Sequence, residues 1–256
     1  MIPRTLALFA HPDDETFGPG ATLAALGEHG PSALLCCTRG EAGSIDQSAK
    51  IGKSKLAKIR EEELLAASDI LGFDSVEILN LPDSGLRWLD PETIVLPFVR
   101  AIRSFKPHIV LTFHENGISR HRDHRTVTRR VGEAVTLAAD GNAFAYLGKP
   151  HQVGRVWWYS IPDSKAAQFE NYRSLASVPD ADIQVTIDLR SHVQKKWAAV
   201  DAHATQKLFV ENMAKFLGER MENYWAFESF VLAQGEPPST DGRVESLYEG
   251  LEEAAT

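Results

Sequence analysis

Short apolar runs of β type alternate with longer amphipathic stretches through most of this chain, and that alternation leaves few folds open to it. The runs 5–10, 33–38, 76–81 and 109–113 are mostly apolar and bounded by Gly, Pro or Asp, as buried strands should be. Between them the spacing of apolar residues predicts helices over 21–28, 50–71, 91–105 and 122–138. The second of these sets Leu56, Ile59, Leu64 and Ile70 among charges, with Gly72 just past its end; Asp90-Pro91 reads as an N-cap followed by proline at the first helical position. Strand–helix–strand repeats require right-handed crossovers, and hence a mostly parallel sheet covered on both faces. The expected fold is therefore a three-layer, Rossmann-like α/β fold. Further strands are expected over 156–160, 183–189 and 227–232, with a helix over 192–203. On this reading residues 1–233 form one domain, and 234–256, rich in Gly, Pro and acids, form a C-terminal tail.

The 256 residues are ample for a sizeable core. A formal net charge of -8 argues against a general nucleic-acid binder, since neutralising phosphates needs a basic surface. The two cysteines, Cys36 and Cys37, are neighbours in an extended run and point to opposite faces, so no disulfide framework is expected and a reducing compartment fits. The first apolar run is too short for a signal-peptide core, and no stretch approaches a membrane span. The expected location is the cytoplasm.

Open α/β sheets bind ligands beyond the carboxyl ends of their strands, so the residues after each strand carry the information. The first strand is followed by His11-Pro12-Asp13-Asp14-Glu15 and the second by Thr38-Arg39-Gly40-Glu41. The third is followed by Pro82-Asp83-Ser84-Gly85, and the fourth by His114-Glu115-Asn116-Gly117, leading to Arg120-His121-Arg122-Asp123-His124. All these ionisable groups converge on one edge. A metal hydrolase needs three protein ligands, an open position for water and a base. His11 and Asp14, three residues apart in a turn, can reach one ion, leaving Asp13 free to touch the water; His121 and His124 both offer a distant third ligand. The plainer alternative makes Asp13, Asp14, Glu15 and Asp123 helix caps.

Ala10-His11-Pro12-Asp13-Asp14-Glu15, with His121-Arg122-Asp123-His124 far downstream, resembles the LmbE / PIG-L family of zinc-dependent N-acetylglucosaminyl deacetylases. Thr38-Arg39-Gly40-Glu41-Ala42-Gly43, Arg60-Glu61-Glu62-Glu63, Leu81-Pro82-Asp83 and His203-Ala204-Thr205-Gln206 extend the resemblance over most of the chain. It implies an LmbE-like fold and a hydrolase that removes an N-acyl (acetyl) group from a small-molecule amino sugar or related conjugate. It implies His11, Asp14 and His124 as ligands of Zn2+, with Fe2+ also compatible, and Asp13 as general base. His121 would stabilise the oxyanion and protonate the leaving amine, held by Asp123, while Arg60 and Asp83 match positions that contact the sugar. A homo-oligomer is compatible with the resemblance.

The second motif departs from the family's usual Gly-His-Pro-Asp-His: Arg120 stands for Gly, Arg122 for Pro, and Ser119 where a tyrosine often precedes. Arg120, Arg122 and Arg125 favour an anionic substrate unless they only meet solvent. His203 reads as a core histidine, Arg60 equally as a surface partner of Glu61 or Glu63, and Trp157-Trp158 as one ring to each sheet face. Two histidines and a carboxylate also suit a non-haem Fe(II) oxygenase, and a metal-binding α/β protein without catalysis is the third reading. A dinucleotide site is rejected, because Gly18-Pro19-Gly20-Ala21-Thr22-Leu23 lacks the third glycine of the fingerprint.

Overall fold

The structure, a computed structural model, describes residues 2–43, 51–169, 175–218, 220–238 and 246–251. Strand β1 (Thr5–Phe9) leads through a short helix α1 (Asp14–Phe17) into α2 (Gly20–His29) and β2 (Ser32–Thr38). Helix α3 (Lys53–Leu71) then precedes β3 (Ser75–Leu81), α4 (Pro91–Phe105), β4 (Ile109–Phe113), α5 (Arg122–Ala139) and β5 (Arg155–Ser160). Beyond a short α6 (Asp163–Ala166) come β6 (Val185–Asp188), α7 (Val193–Ala202), α8 (Lys207–Leu217), α9 (Arg220–Trp225) and β7 (Phe227–Gln234). Their order in the sheet is β3-β2-β1-β4-β5-β7-β6. The first five strands pair in parallel, while β7 runs antiparallel between β5 and β6. The mostly parallel, helix-covered sheet expected from the alternation is present.

The strand sequences explain their places. β1, β2 and β4 are buried along their whole length, and their apolar runs show no polar face because helices cover both sides. β3, at the edge, mixes exposed and half-buried positions. α4 and α5 pack together over one face, and α2, α3 and α7 over the other. α4 starts as its sequence predicts, with the Asp90 carboxylate accepting the Glu92 N–H ahead of Pro91. α3 ends at Gly72 in the left-handed region (φ 85), where its N–H reaches back to Ser68 and Asp69. The expected helix 50–71 begins at Lys53, and its residue 50 lies outside the described residues.

Two differences from the sequence reading matter. Helices α8 and α9 form a wall after α7 that the reading did not anticipate. The expected tail is not loose in its described part: Leu247 and Tyr248 are buried in the main core. Arg155 donates to the carbonyls of Leu247 and Glu249, the Trp157 indole N–H donates to Leu247, and the Tyr248 hydroxyl meets that of Thr5. Cys36 and Cys37 are buried free thiols, and Trp157 is buried while Trp158 is half-buried. No helix among the described residues is long and apolar enough to cross a membrane.

A buried ion pair ties the antiparallel edge to the first helical layer. Glu228 on β7 accepts from the Ala21 N–H (3.0 Å) and the Thr22 N–H (2.8 Å), satisfying two donors that the first turn of α2 leaves open. Lys196 on α7 donates to Glu228 at 2.7 Å and to the Gly18 carbonyl at 2.7 Å. Both side chains are essentially without solvent contact. Glu228→Ala leaves the ammonium and both N–H groups buried without their acceptor, and should cost about 3–5 kcal/mol in urea unfolding. A loss below about 1 kcal/mol would mean that the pair behaves like an exposed one.

Candidate metal centre and active site

The sheet order sets where a site can form. From β1 the chain winds outward to β2 and β3, then returns to add β4 on β1's other side, so β1 and β4 flank the point where the winding reverses. His11, Asp13 and Asp14 follow β1 at that point, and the loop to His121 and His124 follows β4.

Three donor residues meet there, Asp14 turning one oxygen to each histidine. His11 Nδ1 lies 3.3 Å from His124 Nε2 and 3.5 Å from Asp14 Oδ2, and His124 Nε2 lies 3.1 Å from Asp14 Oδ1. Ligands about 2.0–2.1 Å from a tetrahedral ion stand about 3.3–3.4 Å apart, so this spacing fits a zinc-like centre. The donors are already turned inward. The His124 Nδ1–H donates to the Gly117 carbonyl at 3.1 Å, and the ring stacks on Phe113 with centroids 4.0 Å apart, leaving Nε2 as acceptor. The His11 N–H donates to Asp14 Oδ2 at 2.7 Å, fixing that carboxylate within its own turn. Burial disfavours the Asp14 anion, yet His124 and His11 outweigh it and hold the carboxyl well below the usual range. His121 also brings a ring nitrogen within 4.8 Å of those of His11 and His124.

The opposite nitrogen of His11 faces two acids. Its Nε2 lies 3.1 Å from Asp83 Oδ1 and 3.4 Å from Asp123 Oδ2. This carboxylate–histidine arrangement puts the proton on Nε2 and frees Nδ1 for an ion. Burial opposes charging of His11, but Asp123, Asp14 and Asp83 together push its pKa up, and a cation in the centre would take the place of that proton. The other Asp123 oxygen, Oδ1, is buried without a partner.

Asp13 occupies the N-cap position of α1 but caps nothing with its side chain. It sits at φ 110, a region that costs a non-glycine residue about 1–3 kcal/mol and persists only when neighbours enforce it. Two neighbours do. The Asp13 N–H donates to Glu15 Oε2 at 3.0 Å, and Arg60 Nη2 donates to Asp13 Oδ2 at 2.6 Å. Arg60 is itself fixed by the carbonyls of Pro12 (2.6 Å) and Gly40 (2.9 Å). Any side chain at Gly40 or Gly43 would strike its guanidinium, a Cβ falling 2.6 Å and 2.2 Å from Nη1. Burial lifts the Asp13 carboxyl to about 6, with Asp14 adding to the rise and Arg60 opposing it. His121 is half-buried, and its Nδ1 accepts the Asp123 N–H at 3.3 Å, which leaves the ring proton on Nε2. Burial, then the nearby His11 and His124, lower its pKa.

The structure gathers all eight residues singled out from the sequence, but gives three of them different neighbours. The Asp123 carboxylate lies against His11, while its hydrogen bond to His121 comes from the backbone N–H. Asp83 and Arg60, expected against the sugar, are turned inward: their polar atoms are taken up by His11 and by Asp13 with two carbonyls. Arg60 does not pair with Glu61 or Glu63; Glu61 binds Arg39, and Glu63 accepts from Thr205. Arg122 and Arg125 line an outer groove separate from the cavity over the metal centre, whereas Ser119 lines that cavity.

From the sequence, Glu15 has no role beyond that of a candidate helix cap. Its two oxygens join the Asp13 N–H to the buried His203, whose Nε2 lies 2.8 Å from Oε1. Its place in the motif beside two other acids was the available signal. Between the metal centre and α8 and α9 lies a cavity of about 330 Å3, bordered by Asp13, Asp14 and His124.

The chain belongs to the family described as PIG-L: GlcNAc-PI de-N-acetylase, which matches residues 6–135. The 1D-myo-inositol 2-acetamido-2-deoxy-alpha-D-glucopyranoside deacetylase of Geodermatophilus obscurus is 31% identical, over 97% of this chain and 98% of that one. Among solved structures, the conserved protein TT1542 from Thermus thermophilus is 28% identical with a TM-score of 0.69, covering 92% of this chain and 96% of that one. GalB, the 4-carboxy-2-hydroxymuconate hydratase from Pseudomonas putida KT2440, shares the fold at 22% identity and a TM-score of 0.71, covering 94% of this chain and 100% of that one.

One prediction tests the Glu15–His203 contact. Burial disfavours charged His203, but Glu15, with Asp13 and Glu63 behind it, outweighs burial and raises its pKa. The pair's stabilisation is therefore complete below the unfolded histidine value of about 6.5 and is lost as pH rises through the higher folded value. In chelator-treated protein, the difference in urea midpoint between the wild type and His203→Gln should shrink as pH climbs above about 6.5. A difference that grew with pH would mean that His203 is neutral when folded.

Proposed function

We propose that this protein is a zinc-dependent hydrolase that removes the N-acetyl group of an amino-sugar conjugate. The observation that carries this reading is the set of three donors 3.1–3.5 Å apart, with the Asp13 carboxylate beside them on the same cavity. The relatives support the reaction class, since they are named as deacetylases of a 2-acetamido-2-deoxy sugar. His11, Asp14 and His124 would hold the ion. When bound, zinc polarises an acyl oxygen and lowers the pKa of a coordinated water to about 7.

The protein's own groups supply the proton traffic. Asp13, fixed by Arg60 and Glu15, accepts a proton from the attacking water, and a carboxyl pKa of about 6 suits a base working near neutrality. Attack converts the planar amide carbon to a tetrahedral one and places negative charge on its oxygen. The His121 Nε2–H donates toward that oxygen, and the proton that Asp13 took from the water passes to the nitrogen, so that the C–N bond breaks, a neutral amine leaves and Asp13 is again a carboxylate. Asp83 and Asp123 keep His11 oriented, and the Asp123 N–H keeps the His121 proton on the useful nitrogen.

The test is amine release from N-acetyl amino-sugar conjugates by the purified chain, after chelation and after return of Zn2+ or, anaerobically, Fe2+. Activity should vanish with chelator and return with the physiological ion. Asp13→Ala should keep the metal and lose about 10²–10⁴-fold in kcat. His124→Ala should lose the metal, and Asp83→Asn should weaken it about 10–100-fold by calorimetry. Normal turnover by Asp13→Ala would remove that residue from the mechanism.

A further inference from the structure

Away from the metal centre, the 330 Å3 cavity changes character. Phe17, Ile161, Leu175, Phe209, Met213 and Trp225 wall it, and beyond Asp13, Asp14 and His124 the polar side chains among its described lining residues are Ser119, Gln206 and two tyrosines. The wall is packed in place: the Phe17 ring meets Phe209 edge-on at 5.3 Å and Trp225 at 6.1 Å. Phe209 and the neighbouring Leu208 stay partly exposed, at 37% and 50%. Sugar hydroxyls pressed against such a wall would give up water and find few partners, a substantial penalty. Alkyl or aryl groups gain there about fourfold in affinity for each methylene buried.

We propose that the preferred substrate carries an alkyl or aryl group beside the scissile amide, and that this cavity holds it. The inference rests on the hydrolase reading above and adds what that reading leaves open. It names an apolar group where the substrate printed in the relatives' names carries an inositol, a polyol. The apolar group belongs either to the acyl chain or to the aglycone, and the two sources give different kinetics.

The experiment uses the zinc-loaded full chain and two substrate series. One varies the acyl group on glucosamine from acetyl through butanoyl to hexanoyl. The other keeps the acetyl group and varies the glycoside from methyl to hexyl and phenyl. The expected result is a rise in kcat/KM of at least about tenfold along one series, short of the fourfold per methylene of complete burial. The series that rises identifies the source. Flat or falling values in both, with the acetyl and methyl compounds still hydrolysed, would overturn the inference and leave the hydrolase reading standing. If no compound were hydrolysed, that reading would fail, and calorimetry would decide the inference alone. Hexyl N-acetylglucosaminide or methyl N-hexanoylglucosaminide binding about tenfold tighter than methyl N-acetylglucosaminide supports it, and equal binding of all three ends it. Phe209→Asp, at a partly exposed position where a charge still permits folding, should erase the chain-length preference; a variant that kept the preference would place the apolar group elsewhere.

Discussion

Everything in the site follows from β1 pairing in parallel with both β2 and β4. A central strand hydrogen-bonded on both sides cannot shift its register without breaking two ladders, so the position of Phe9 is rigidly set. The turn after it must then open into the crevice where the winding reverses. His11 and Asp14 inherit their places from that constraint. His124 inherits its place from β4, the strand on the other bank of the same crevice.

What fills the crevice is an excess of buried acid. Asp14, Asp83 and Asp123 all approach His11, and one Asp123 oxygen has no partner. Carboxylates taken out of water are tolerated only with positive charge or donors close by. His11 and His124 together stand against three acids, a donor set whose charge suits a cation. Asp13 stands apart from that balance. Arg60 neutralises it from behind while its backbone is held in an unfavourable region, an arrangement that uses folding energy to orient one carboxylate.

Much of this is legible in the sequence, for reasons that also mark where legibility stops. Strands buried on both faces carry unbroken apolar runs, so β1, β2 and β4 stand out, and the polar turns after them announce the site edge. His11, Asp13, Asp14 and His124 are readable because the motif spacing is short and specific. The aim of a carboxylate is not readable in the same way. Asp123 follows His121 by two residues, yet its side chain turns to a histidine more than a hundred residues earlier because that is where the crevice leaves room. Arg60 looks like a helix-surface residue, and only the space left by Gly40 and Gly43 brings it inward. The place of β7 between β5 and β6 is equally hidden, since alternation along a chain says nothing about which strands become neighbours. The wall of α8 and α9 carries a helical apolar period that was present but unclaimed.

The Glu228 contacts reach back 207 residues to Ala21 and 206 to Thr22, and among the described residues β6 pairs only with the strand that carries Glu228. On the ribosome, then, the opening segment emerges long before the segment that secures it. The start of α2, a few residues beyond Asp14, waits with open donors until β7 has been synthesised. Assembly of the catalytic end is therefore a late event in biosynthesis, and a nascent chain halted before β7 carries the first motif without the clamp that steadies its neighbouring helix.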